Sequence, residues 1–205
     1  MTRPRVEVDV ASVAPAAAYR WLTASVVPRP IAWVSTLSAD GVANLAPHSF
    51  FTVASAAPPV IAFTSVGTKD SLRNIRATGQ FVVCVATATL HRQVNETGAR
   101  FPPEIDELAH VGLGAEPSAA VRPPRVADSP VALECVLEGE RSFGSDPDAS
   151  VMVFGRVVHV SARPEVLAAD GLPDAALMAP VARLGRDEWS HLGEVFILPR
   201  PEHKD

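Results

Sequence analysis

The sequence predicts a mainly β (α+β) fold, a small β-barrel with short helices packed on its outside. Three observations carry that expectation. Apolar runs rich in β-branched residues recur at strand length along the chain. Asp40-Gly41 separates two such runs, a strong hairpin signal. The helix-like segments are few and short, and they do not alternate regularly with strands as βαβ units would.

Taken in order, residues 14–27 read as a helical lead-in. The first strand runs from Ile31 to Leu37, entered through the stiff Pro28-Arg29-Pro30 and ending in two hydroxyls, Ser35 and Thr36. Its partner begins at Val42 and continues into Asn44-Leu45-Ala46-Pro47-His48-Ser49-Phe50-Phe51. Pro47 cannot donate a ladder hydrogen bond, so this strand should bulge or lie at a sheet edge. Pro58 to Thr64 reads as a buried strand entered through a proline turn.

A short helix follows. Thr68, Asp70 or Ser71 can cap it, Leu72 and Ile75 share one face, and Gly79 ends it. Phe81 to Ala86 is continuously apolar and should be a central strand. Residues 89–96 and 104–111 suggest two more short helices, closed by Gly98 and Gly112. The Pro-, Ala- and Ser-rich stretch 114–130 reads as a connecting excursion.

Two long strands come next, Val131–Ser142 and Val151–Ser161, joined by a turn at Asp146-Pro147-Asp148. A helical turn is expected near Ala175–Met178, and a final strand over Glu194–Leu198 before Pro199. The whole chain, 1–205, is expected to be a single domain. Its last part, 162–205, would be an extension packing on the barrel or on a second copy.

Composition narrows the function. Of 205 residues, 47% are hydrophobic and 20% charged, which is ample for a packed core. A formal charge of −5 argues against nucleic-acid binding as the main role. Cys84 and Cys135 sit in apolar runs without metal or redox spacing, as buried thiols of a reducing compartment do. The N-terminus has acids where a signal peptide needs an apolar core, and no apolar run reaches the ~20 residues of a bilayer span. The expectation is a cytoplasmic protein with no membrane partner.

The machinery of several enzyme classes is missing from the sequence. It contains no Gly-x-Ser-x-Gly elbow, no Gly-x-Gly-x-x-Gly and no Walker loop. The six histidines lack metal-ligand spacing, and no carboxylate pair stands out. Either the protein is a binding module or a cofactor carries the chemistry.

Polar signal concentrates in three places: Ser35-Thr36, Asn44 through Ser49, and Thr64 through Ser71. The last has the ingredients of an anion site: a helix N-terminus, small hydroxyls and Lys69. It is equally an ordinary set of capping residues, with Asp70 unfavourable to a phosphate. The strand hydroxyls have a plain structural reading too. Brought together in a small barrel, the three clusters would suit a planar polar ligand such as a flavin edge, with Phe50, Phe51 or Trp189 either covering the ring or simply packing in the core.

The motifs "PRPIAWVST…DG…NLAPHSFF", "PPVIAFTS…KDSLRNIRATGQFVVCV", "PRVADSPVALEC" and "PVARLGRDEW" resemble the flavin reductase-like domain family of the FMN-binding split-barrel superfamily. The resemblance runs from about Tyr19 to Pro201, with the motifs in family order. It implies a homodimeric split barrel binding FMN, with FAD as an alternative, in a groove near the dimer interface.

By the same resemblance, the flavin contacts fall on Ser35 and Thr36, on Asn44, Ala46, Pro47, Ser49 and Phe50, and on Thr64, Ser65, Lys69, Asp70 and Ser71. Arg29 and Arg183 match characteristic family positions. His48 stands where many relatives carry an aromatic residue, Ser161 where a histidine is expected, and Trp189 where a tyrosine is usual.

The implied activity is hydride transfer from NAD(P)H to flavin, with no catalytic side chain of its own beyond assistance from His48. Reduced flavin or electrons would pass to an acceptor such as a monooxygenase. The alternative is a non-catalytic FMN-binding electron carrier. A haem-binding member is a third reading, with His48 as its one candidate axial ligand.

Overall fold

The computed structural model describes residues 3–145 and 149–201. Helix α1 (Pro15–Ser25) starts with a proline in its first turn, where the missing N–H costs nothing. The short β1 (Arg29–Pro30) then leads into β2 (Ala32–Leu37), and Gly41, at positive φ, turns the chain into β3 (Ala43–His48). Next come β4 (Phe51–Ser55) and β5 (Val60–Val66), α2 (Asp70–Thr78), β6 (Gln80–Val85), α3 (His91–Glu96) and α4 (Glu107–His110).

The excursion holds a two-residue ladder, β7 (Ala115–Glu116) with β8 (Arg125–Val126). Long strands β9 (Val131–Phe143) and β10 (Ser150–Ala162) follow. The chain closes with α5 (Ala175–Met178), β11 (Val181–Arg183) and β12 (Trp189–His191).

Seven strands form one antiparallel sheet in the order β3-β2-β6-β9-β10-β5-β4. Its two edge strands are consecutive in the chain. Edge strand β3 meets β5 at the far end of the sheet, where His48 Nδ1 lies 3.3 Å from the Thr64 carbonyl oxygen. The sheet thus curls on itself as a split barrel.

Both faces are buried. One cluster gathers Ala32, Val34, Phe63, Phe81 and Val83 with Leu72 and Ile75 of α2. The other gathers Ile31, Trp33, Leu45, Val82 and Cys84 with Val94 of α3 and Leu108 of α4. This is why the central strands read as continuously apolar: they have no solvent face.

The Asp-Gly hairpin, the edge position of Pro47 and the helix ending at Gly79 all appear as expected. Three expectations change. The N-cap of α2 falls on Lys69, and among the described residues no side chain caps the helix. Glu194–Leu198 is not a strand: Trp189–His191 forms one instead, because it can pair with Val181–Arg183, which in turn pairs with Arg29–Pro30. Strand β4 was not foreseen, since after Phe51 its residues Thr52, Val53 and Ala54 are all exposed and show no alternation. The expected turn at Asp146-Pro147-Asp148 lies outside the described residues. No helix among the described residues is long and apolar enough to cross a membrane.

Candidate functional site

Strand β3, the start of α2 and the segment after α3 enclose a groove of about 520 Å³, within the range of small-ligand pockets. Strand β3 contributes Asn44, Ala46, Pro47 and His48, and the β5–α2 turn contributes Val66 to Ser71. Residues 97–101 and Glu107 form the far wall.

The floor is built by one tightly bonded set of side chains. Ser71, in the first turn of α2, lies 3.0 Å from the Asn44 amide. Behind it, the Asn74 amide donates to Thr36 Oγ1 at 3.0 Å. His48 is buried against Phe63, ring centroids 4.7 Å apart, with Nδ1 3.3 Å from the Thr64 carbonyl oxygen. Its Nε2 is sealed and has no partner among the described residues.

Burial is the main reason that the His48 pKa falls to about 4, and nearby Lys69 lowers it further against the Thr64 carbonyl. The ring is therefore neutral at pH 7. With Nδ1 donating to Thr64, Nε2 carries the free lone pair, enclosed within the protein.

The end of the groove at α2 has anion-binding character. Helix α2 has no side-chain cap among the described residues, so its first-turn N–H groups keep their capacity for a ligand beside Lys69 and Thr68. Asp70, unfavourable to an anion, is paired with Arg73. Ser65 does not contribute its hydroxyl to this end, because Oγ donates to the Gly67 carbonyl at 3.0 Å.

On the other side of Pro47 lies a second cavity of about 300 Å³, lined by Ile31, Ser49, Asn95, Arg183, Asp187 and Trp189. Pro47 and Gly98 border both spaces. A Cβ on Gly98 would come within 3.4 Å of the Pro47 ring and 3.1 Å of the Asn95 carbonyl oxygen, so glycine lets these segments meet closely. The Arg183 guanidinium lies over the Trp189 ring, 5.0 Å from its centroid.

The sequence-predicted residues thus divide. Asn44, Ala46, Pro47, His48, Lys69, Asp70 and Ser71 line the groove; Ser49, Arg183 and Trp189 line its neighbour. Thr64 supports His48 through its carbonyl. Ser35 and Thr36 are fully buried on β2, Thr36 engaged with Asn74 and Ser35 Oγ without a partner, so neither hydroxyl reaches the groove.

Phe50 lies outside both spaces, beside Tyr19 of α1. Arg29, at a characteristic family position, lines neither space. It is buried, donating to the carbonyls of Thr23, Val26 and Leu184, and so ties α1 to the C-terminal segment. Sequence reading missed Glu107 and the wall at 97–101. A carboxylate in a short helix beginning is normally a solvated dipole partner, and nothing local marks it as buried.

The flavin reductase like domain model matches residues 24–177. The chain belongs to the flavin reductase-like domain family. Among the similar proteins of this family, an uncharacterized protein of Halalkalibacterium halodurans is 40% identical over 89% of this chain and 90% of its own. One from Bacillus subtilis is 36% identical over 89% of this chain and 93% of its own.

Among solved structures, nitrilotriacetate monooxygenase component B from Bacillus cereus superposes with a TM-score of 0.91 at 30% identity, covering 96% of this chain and all of that one. The 2-nitrobenzoate 2-nitroreductase of Pseudomonas fluorescens gives 0.88 at 30% identity over 96% of each chain. Flavoredoxin of Desulfovibrio vulgaris, 24% identical with a TM-score of 0.76, shares the fold. Family membership assigns this chain to flavin-related oxidoreductases of split-barrel fold.

Proposed function

We propose that the protein is an NAD(P)H-dependent flavin reductase that holds FMN in the β3–α2 groove. The observation that carries this reading is the pairing, in one groove, of a helix start without a side-chain cap among the described residues, beside Lys69, with the polar edge of β3 at Asn44 and residues 46–47. The first suits a phosphate, the second a ring edge of alternating N–H and C=O groups. The residues present therefore fit FMN: Thr68, Lys69 and Ser71 at the phosphate, and Asn44, His48 and the backbone of 46–47 at the ring.

When bound, the flavin supplies the hydride-accepting chemistry, with NAD(P)H as donor. The chain's own tasks are to bind and to orient. Rigid β3 sets the ring position, and the neutral His48 adds no charge beneath it. The adjoining cavity, which shares Pro47 and Gly98 as wall with the groove, gives a second reactant room beside the first. The component B neighbour supports a flavin-dependent monooxygenase as the onward partner.

Exposed Tyr19, Trp21 and Leu22 on α1, with Val53 on edge strand β4, support a homodimer, because a lone chain would leave them in water. The localisation proposed is cytoplasmic, on the free, buried Cys84 and Cys135.

The deciding experiment mixes flavin-loaded protein anaerobically with NADH and with NADPH. Bleaching of the flavin band near ~450 nm, an absorption of the flavin itself, is the expected result. Flavin that stays oxidised with both nucleotides, with added FMN also unreduced, would leave the non-catalytic carrier reading instead. Light scattering of the loaded protein should give twice the chain mass.

A further inference from the structure

Glu107 opens the four-residue helix α4, yet its carboxylate turns to the free edge of β3 and is only 6% exposed. Oε2 accepts from the Leu45 N–H at 3.0 Å. Oε1 lies 3.3 Å from one end of the Asn44 amide. With the amide nitrogen at that end, Asn44 donates to Glu107, while its oxygen accepts from Ser71 Oγ at 3.0 Å and sits 3.2 Å from the Leu45 N–H. The reverse orientation would set an amide oxygen against a carboxylate oxygen, two acceptors face to face. A carboxylate acts only as an acceptor, so an ionised Glu107 selects the first arrangement.

We propose that Glu107 is a positioning residue for the groove's ligand. By holding the Asn44 nitrogen, it presents the second N–H of that amide as a donor to a ring carbonyl or ring nitrogen. This rests on the flavin reading above. The ligand class that follows is one offering an acceptor at β3. A purely structural Glu107 would clamp α4 to β3 through Leu45 and would leave ligand recognition to others.

A double-mutant cycle separates the two roles, with FMN dissociation constants read by fluorescence titration of wild type, Glu107→Gln, Asn44→Ala and the double variant. Glutamine can still accept from Leu45 but offers an NH2 group to Asn44, which turns that amide round.

Each single variant should weaken FMN by about tenfold, and the double variant should bind within about twofold of Asn44→Ala. The visible band of FMN bound to Glu107→Gln should also shift from that of wild type. Wild-type affinity and spectrum in Glu107→Gln, or single losses that multiply in the double variant, would overturn the proposal and leave the flavin reading standing. A wild type that binds no FMN would overturn both. Should Asn44→Ala fail to fold, Asn44→Ser takes its place in the cycle.

Discussion

The Nδ1 atom of His48 lies 3.3 Å from the carbonyl oxygen of Thr64, and that contact fixes the ring between the β3 edge and the body of the sheet. Its other nitrogen is sealed without a protein partner. Burial pushes the pKa to about 4, far below the 6.5 of a free imidazole.

A loss of stability on acidification follows. Between pH 6.5 and 4 the unfolded chain holds a proton on His48 that the folded chain does not. Stability from the neutral ring is therefore full above pH 6.5 and declines as pH falls through this window. The loss is at most about 3 kcal/mol. Chemical denaturation of the flavin-free protein from pH 8 to 4 should show it, and His48→Phe should flatten that part of the profile.

Lys69 should read the phosphate and not the ring. Lys69→Ala is expected to weaken FMN by about tenfold, the scale of one charge-assisted contact, and to leave riboflavin unchanged. Parallel titrations of the two flavins check it. An equal loss for both would move the phosphate away from the start of α2.

Gly155 has no room for a side chain. A Cβ there would fall 2.2 Å from Cζ of Phe81 and 3.2 Å from Cβ of Cys135. Phe81 is fully buried and packs edge-on to Phe63, centroids 5.6 Å apart, so it cannot swing clear. Gly155→Ala should cost about 1–3 kcal/mol, the usual range for overpacking, and Phe81→Leu in the same chain should recover part of it. Urea midpoints of the three variants measure both effects.

Arg29 should prove structural. Its guanidinium meets three carbonyls, those of Thr23, Val26 and Leu184. Arg29→Ala leaves these acceptors without their donor and should destabilise by about 2–4 kcal/mol. The remaining folded protein should bind FMN with wild-type stoichiometry. A melting scan and a flavin titration on one preparation separate the two outcomes.

Much of the frame was legible because its signals are local. Asp40-Gly41 needs only the positive φ of its glycine to make the hairpin, and Gly79 likewise ends α2. Pro47 marks an edge strand by lacking a donor. The Val82–Cys84 run announces a strand covered on both faces. Failures came where a partner far along the chain decides. Glu194–Leu198 has strand-like residues but pairs with none of the described residues, while Trp189–His191 finds Val181–Arg183.

The same division runs through the site. By itself the sequence determined the strand–hairpin order, the polar content of 44–49 and 64–71, and the resemblance to flavin reductase-like domains. Which of those polar groups face a ligand was decided by the tertiary structure alone. Both faces of strand β2 are covered, with Asn74 of α2 lying on Thr36, so the hydroxyls of Ser35 and Thr36 are enclosed. Edge strand β3 keeps one side free, and there Glu107, 62 residues beyond Leu45, closes against it. Local sequence sets what a segment can offer; the pairing of distant segments sets which atoms remain free to offer it.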